Sequence, residues 1–334
     1  MVTVERVALA YNNVYLVEDG AELVVIDAGP DYRGARETIL AALRGRKPAA
    51  VVCTHGHLDH AGLGAWWRGM GVPVLLGRDD EAYARGEDFE FEAMAAYVEQ
   101  CGAPDDVARE AIHGLQLRRE WHDRLRHAEG WAPSRDGRWP TQLRYAPFEP
   151  SALVAGEMQL PCGLRVLPAP GHTPGNVVVL GEGREGRLLF SGDQLLPEIT
   201  PTPAIQFHNG ARFPSLPRFL DSLELLAAAG GPFARCYPGH GEPFGGVAEV
   251  LKANLAQAKE RTERVDEALR AQGPATVYAL AERLYPRALR RRFWQIISTV
   301  QGHLDMLEES RRAIREGRVW RAAGTAASHE PLLG

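Results

Sequence analysis

Within six residues the segment Thr54-His55-Gly56-His57-Leu58-Asp59-His60 carries four side chains able to ligate a metal ion. It follows directly on residues 49–54 (AAVVCT), an apolar run of the kind that forms a strand buried on both faces. Whatever the chain folds into must therefore accommodate imidazoles and a carboxylate at the end of a buried strand. Left unpaired there, such groups cost several kcal/mol, and a divalent metal is the usual compensation. The spacing lets His55 and His57 point one way while Asp59 and His60 turn toward a neighbouring site.

Three later segments add to this cluster. Gly171-His172-Thr173-Pro174-Gly175 sets a histidine in a turn between two strand-like runs, where the glycines permit close backbone approach and Pro174 stiffens the loop. Ser191-Gly192-Asp193 ends an apolar run with a carboxylate, and Pro238-Gly239-His240-Gly241 does the same with an imidazole. Each is weak alone, since a loop histidine is usually a surface residue and a strand-end aspartate usually caps a turn.

The rest of the chain gives these segments a frame. Residues 14–19 (VYLVED) and 22–28 (ELVVIDA), separated by Asp-Gly, predict a hairpin. Helices are expected over 33–45 and 61–70 and a strand over 72–76, a strand-helix-strand rhythm typical of α/β layers. Between 79 and 150 the sequence turns charged and helix-favouring before a Pro/Gly-rich stretch, which predicts a helical insertion. Strands are expected at 152–155, 164–168, 176–180, 187–191 and 234–237 and a helix at 215–228. From 247 to 315 the chain reads as helical, with a short strand (RVWRA) closing it. The expected division is a catalytic unit over 1–246, carrying the insertion, and a C-terminal region over 247–334.

Taken in order, the HxHxDH segment, His172, Asp193 and His240 resemble the signature of the metallo-β-lactamase-fold superfamily across roughly residues 10–245. The resemblance implies an α/β fold, a four-layer αββα sandwich with metals at one edge of its two sheets. It implies that His55, His57 and His172 hold a first ion, that Asp59, His60 and His240 hold a second, and that Asp193 bridges them. Zinc β-lactamases commonly carry cysteine at the bridging position, so the aspartate is closer to the hydroxyacylglutathione hydrolase (glyoxalase II) and lactonase branches. Asn176 departs from the second histidine of the GHTPGH found in many relatives. Asp27 matches a recurrent position and is implied to orient the metal loop by hydrogen bonds, or else it simply caps the turn before Gly29. The three helices and β element after residue 247 resemble a winged-helix-like tail.

This ligand set leads to a hydrolase. Two divalent ions can share a water and generate a hydroxide nucleophile without a side-chain base, while one ion polarises the carbonyl under attack. A thioester, lactone or other activated ester suits this chemistry, because a thiolate leaves without a strong general acid, and Asp59 is the candidate proton shuttle. Zinc is the first expectation, and an all-nitrogen-and-oxygen set also suits iron and manganese. No G-x-S-x-G nucleophile elbow competes with this reading.

Charge and composition weigh the rivals. A formal charge of −5 supplies no global field for nucleic acid, which argues against a phosphodiesterase of the ribonuclease Z type. Retention of all seven ligand positions argues against a mononuclear iron persulfide dioxygenase and against a ligand-sensing DNA-binding protein. Arg290, Arg291 and Arg292 cluster among acidic neighbours, and the C-terminal helices are expected to cap the site or form a homodimer contact. No signal peptide or membrane span is expected, and four scattered cysteines without CxxC spacing suit a cytoplasmic protein acting on a small acyl substrate. His208 either faces the pocket or lies in solvent. Trp121, Trp131, Trp139 and Tyr145 could wall the pocket, but aromatics in such segments more often serve the core.

Overall fold

A hairpin opens the fold, with Gly20 taking the positive φ of 63° that its turn requires. The computed structural model describes residues 2–87, 90–127, 143–197, 203–229 and 232–324. Its first third runs β1 (Thr3–Ala8), β2 (Asn13–Asp19), β3 (Glu22–Ile26), α1 (Ala35–Leu43), β4 (Ala50–Val52), α2 (Leu58–Ala61), α3 (Gly64–Gly69) and β5 (Val74–Gly77). Helices α4 (Glu81–Arg85), α5 (Phe91–Gln100) and α6 (Asp105–His127) follow. Then come β6 (Ala152–Val154), β7 (Met158–Gln159), β8 (Arg165–Pro168), β9 (Val177–Gly183) and β10 (Gly186–Gly192). The small hairpin β11 (Gln206–His208) and β12 (Ala211–Phe213) leads to α7 (Ser215–Ala228) and β13 (Phe233–Pro238). The chain continues as α8 (Val247–Gln272), α9 (Val277–Leu284), α10 (Phe293–Glu309), β14 (Ala313–Glu316) and β15 (Val319–Ala322).

The strands form a six-stranded sheet in the order β1-β2-β3-β4-β5-β6 and a five-stranded sheet in the order β13-β10-β9-β8-β7. Alternation along each strand sorts the core into layers, because successive side chains leave opposite faces. Tyr15, Val17, Val24, Ile26 and Val52 of the first sheet meet Val166, Val177, Val179, Leu188 and Phe190 of the second. Their alternates Leu16, Val25 and Val51 pack outward against Ile39, Leu43 and Trp67. On the other side Val178, Leu180 and Leu189 pack against Phe219, Leu223 and Leu226 of α7 and Leu251 of α8. The result is the expected αββα sandwich.

A further core lies outside the sandwich. Tyr97, Val98, Val107 and Leu115 of the inserted helices are buried together with Leu269, Leu280, Ile297, Val300 and Leu304 from α8, α9 and α10. Helices α5 and α6 and the C-terminal helices thus pack as one layer. Thr276 starts α9 by accepting a hydrogen bond from the Ala279 amide through its side chain.

Residues 313–316 correct one expectation, since they form β14 and pair antiparallel with β15 instead of extending the helix. The helix has already ended at Glu309 and Arg311 turns the chain with a positive φ of 58°, so these residues find ladder partners in β15. Trp131, Trp139 and the Pro/Gly-rich stretch lie largely outside the described residues. All four cysteines are buried and unpaired. Among the described residues no helix is long and apolar enough to cross a membrane.

Candidate metal centre

Each expected ligand sits where a strand gives way to a loop at one edge of the sandwich. β4 ends at Val52 and delivers residues 55–60, the β8–β9 turn carries His172, and the parallel strands β10 and β13 end beside each other at Asp193 and His240. Gly239 makes this last approach possible: a Cβ there would lie 2.5 Å from the His60 ring and 2.7 Å from Asp193 Oδ1. All seven residues converge.

Three nitrogens form the first group. His57 Nδ1 lies 3.0 Å from His55 Nε2 and 3.1 Å from His172 Nε2. A single imidazole nitrogen offers one proton or one lone pair, so it cannot hydrogen-bond to both neighbours. Burial, and then the neighbouring imidazoles, hold His55 far below the ordinary histidine range and His57 at about 3, so the rings are neutral. Burial likewise lowers His172. Three neutral lone-pair donors this close fit a cation at their centre, since tetrahedral zinc would separate its nitrogens by about 3.3 Å.

The second group is Asp59, His60 and His240. Here Asp59 Oδ2 stands 3.4 Å from His240 Nε2 and 3.7 Å from His60 Nε2, and the two imidazole nitrogens are 3.4 Å apart. Between the groups stands Asp193, with Oδ2 at 3.5 Å from His172 Nε2 and Oδ1 at 3.3 Å from His240 Nε2. Its Oδ1 is buried without a hydrogen-bond partner among the described residues, as a metal-directed carboxylate oxygen would be. Within each of the sets His55-His57-His172, His55-His60-Asp193 and Asp59-His60-His240, the donor atoms lie within 4.8 Å of one another. A His/Asp set of this kind can hold divalent metal.

The electrostatics of these groups follow from this crowding. Burial opposes charge on both His60 and His240, but the carboxylates of Asp27, Asp59 and Asp193 raise His60 to about 9, and those of Asp193 and Asp59 raise His240 to about 11. Against the same opposing burial, those imidazoles hold Asp59 at about 2 and Asp193 below the carboxylate range.

The family model of the metallo-beta-lactamase superfamily matches residues 8–240. The chain belongs to this superfamily. Over 309 residues it is 28% identical to a probable metallo-hydrolase, YqjP, of Bacillus subtilis, covering 88% of this chain and 87% of that one. It is 28% identical over 189 residues to a hydroxyacylglutathione hydrolase of Anaeromyxobacter dehalogenans, covering 55% of this chain and 46% of the relative. Among solved structures, a metallo-beta-lactamase family protein from Thermus thermophilus superposes with a TM-score of 0.68 at 22% identity, covering 96% of this chain and 98% of that one. A beta-lactamase domain protein from Burkholderia ambifaria superposes with a TM-score of 0.70 at 21% identity, covering 96% and 92%. These structures establish the metallo-beta-lactamase fold, and the metallo-hydrolase relatives imply a hydrolase.

Two buried aspartates hold the metallo-beta-lactamase-type loops in place. Asp27, at a positive φ of 65°, accepts from the Thr54 amide at 2.7 Å and the Thr54 hydroxyl at 2.9 Å, while its other oxygen lies 2.8 Å from His60 Nδ1. That contact leaves His60 Nε2 facing the site, and the Tyr11 carbonyl does the same for His240 by accepting from Nδ1 at 2.6 Å. Asp80 was not legible as a site residue. It accepts from the Gly56 amide at 2.8 Å, the Thr173 hydroxyl at 2.7 Å and the Gly175 amide at 2.7 Å, tying the two histidine loops together. Its position just after an apolar strand, among turn-forming acids, was the available signal.

The site opens into a cleft of about 760 Å³ lined by the residue 56–59 loop, Tyr83, α6 and the start of α10. Within that lining His57 and Asp59 are partly exposed, whereas His55 and His60 are fully buried, so approach is from the His57–Asp59 side. Trp121 and Tyr145 belong to this wall, which sequence reasoning left to the core. Arg290 and Arg291 also line it, with Arg290 paired to Asp106, so the C-terminal region contributes directly to the cleft. His208 lies instead on β11, 3.6 Å from Asp79 and outside the cleft lining. Asn176 is buried and donates to the Ala169 carbonyl at 3.0 Å, a structural role in the turn.

Proposed function

We propose that this protein is a dinuclear-metal-dependent hydrolase of an activated acyl bond, a thioester foremost and a lactone or other activated ester next. His55, His57 and His172 would hold one ion, Asp59, His60 and His240 the other, and Asp193 would contribute one oxygen to each. The observation that carries this reading is the Asp193 carboxylate, whose two oxygens face two separate nitrogen groups. When bound, the ions supply an activated water and polarise the carbonyl to be cleaved. Zinc is the first candidate, and the donors also suit iron or manganese.

The chain's own groups do the rest. Asp27 and the Tyr11 carbonyl fix the ligand tautomers, and Asp80 fixes the separation of the His57 and His172 loops. Asp59, which lines the cleft, would shuttle a proton to the leaving group where the second ion is weakly held. A thiolate needs little such help. The order of three helices and a hairpin after residue 247 supports a winged-helix-like reading of that region. Its contribution to the cleft supports a role as a wall rather than a DNA reader. We keep the division at residue 246, with the insertion as a cleft-forming appendage, a cytoplasmic location and a small acyl partner as parts of this proposal. A homodimer contact stays within it.

A phosphodiester is the second reading, favoured by arginines on the cleft wall. The test is turnover by metal-loaded protein of a panel of acyl thioesters, lactones and a phosphodiester. Thioester or lactone hydrolysis that is lost by at least about a hundredfold in Asp59→Ala and His57→Ala supports the proposal. Activity on the phosphodiester alone would transfer it to the second reading.

A further inference from the structure

The β11–β12 hairpin stands between the three-histidine group and the layer formed by α5, α6 and the C-terminal helices, and its two faces meet different neighbours. Gln206 and His208 leave one face of β11 and Phe207 the other, since successive side chains alternate. Arg212 lies opposite Phe207 across the hairpin and so shares its face. That face is held by the helical layer. Phe207 meets the Tyr97 ring of α5 edge-on, with centroids 6.3 Å apart. Arg212 donates through both guanidinium prongs to Asp305 of α10, at 2.6 and 2.7 Å. Asp305 also accepts from the Gln301 amide at 2.6 Å, and Gln301 accepts from the Tyr97 hydroxyl at 2.7 Å, so these buried groups form one connected network. The Ile205 amide adds a bond to the Ser298 hydroxyl of α10 at 3.0 Å.

The opposite face carries Gln206 to the histidine loops. Its Nε2 donates to the His172 carbonyl at 2.8 Å, and its Oε1 accepts from the Tyr83 hydroxyl at 3.0 Å. The carbonyl can only accept, so the amide nitrogen must face it and the amide oxygen is left for Tyr83. The Tyr83 ring meets His57 edge-on at 5.5 Å between centroids and packs directly over Gly56, where an added Cβ would fall 2.3 Å from Tyr83 Cβ. Tyr83 and Gln206 thus bridge the His57 and His172 loops on the side of the helical layer, while Asp80 ties the same loops through Gly56, Thr173 and Gly175. Resting on the two-metal reading above, we propose that Gln206 is a positioning residue for the ion held by His55, His57 and His172. Its amide, anchored on α10 through the hairpin, sets the separation of the His172 and His57 loops. The C-terminal helices therefore govern metal affinity at a site to which they contribute none of the seven expected ligands.

The test reads cobalt(II) binding to the full chain, by competition with a chelator for affinity and by visible absorption for ligand geometry, with urea midpoints to show that each variant is folded. Gln206→Glu keeps the side chain's length and its acceptor for Tyr83 but removes the donor, leaving a carboxylate against the His172 carbonyl. A residue that merely fills space would tolerate this near-isosteric change. The expected result is cobalt affinity weakened by about tenfold or more, the scale on which outer hydrogen-bond partners act, together with a shifted absorption band. Ser298→Ala removes the acceptor of the Ile205 amide on α10, away from every ligand, and should weaken cobalt in the same sense by about threefold, the worth of one hydrogen bond. A folded Gln206→Glu chain that binds cobalt as tightly as the wild type or more so, with an unchanged spectrum, would overturn the positioning role and leave the two-metal reading standing. Weakening in Gln206→Glu with none in Ser298→Ala would support the role of Gln206 and overturn its dependence on α10. A wild-type chain that binds no cobalt would overturn the metal reading itself and this role with it.

Discussion

At the scale of single residues, Asp80 shows how far the His/Asp cluster depends on groups outside it. Its carboxylate is fully buried and accepts three hydrogen bonds from the loops that carry His57 and His172. Burial still pushes it up to about 6, so the three donors offset only part of the desolvation. Replacing it with alanine would strand two buried amides and a hydroxyl. Asp80→Ala should therefore lower unfolding free energy by about 3 kcal/mol or more and weaken metal retention, read by urea denaturation and chelator competition. An unchanged midpoint and unchanged metal affinity would remove Asp80 from the account. The seven His and Asp residues that the fold brings together were legible in sequence because they recur at strand ends. Asp80 was not, because one acid in the run Arg78-Asp79-Asp80-Glu81 differs from its neighbours only through burial.

At the scale of elements, local pattern identified most strands of both sheets, since β2, β3, β9 and β10 are continuous β-branched or apolar runs. β1 escaped because Glu5 and Arg6 interrupt it, although its partner β2 supplies the full antiparallel register. β11 and β12 escaped although Asn209-Gly210 between them is a turn signal, with φ of 52° and 75°. Pairing between distant segments could not be read. The shared core of α5 and α6 with α8, α9 and α10 joins residues nearly two hundred positions apart, and only the three-dimensional packing reveals it. Ile297, fully buried in that core, tests the coupling. Ile297→Ala should cost about 2–5 kcal/mol and should raise amide exchange in α6 as well as in α10. Loss of protection confined to α10 would mean that the cleft wall is not one cooperative layer.

At the scale of the whole molecule, four layers, two sheet edges and one helical cover converge on a site where buried imidazoles and carboxylates share charge. His60, facing Asp27, Asp59 and Asp193, and His240, facing Asp59 and Asp193, have folded pKa values raised above the ordinary 6.5, so the stability these contacts contribute is fully present below that value. It is lost as pH rises through about 9 and about 11. With His60 and His240 as metal ligands, as proposed, binding near neutral pH should release protons from both imidazoles and tighten as pH rises through about 9 toward about 11. Calorimetry in buffers of differing ionisation enthalpy reads the release directly, and a buffer-independent heat would contradict it.

The claim on which the rest stands is that Asp193 spans two metal positions. Elemental analysis of protein reconstituted with zinc, compared between wild type and Asp193→Ala, tests it most directly. The account predicts about two ions per chain in the wild type and a clear loss of bound metal in the variant. A wild type that retains no metal after reconstitution, or a variant that retains as much as the wild type, would contradict it.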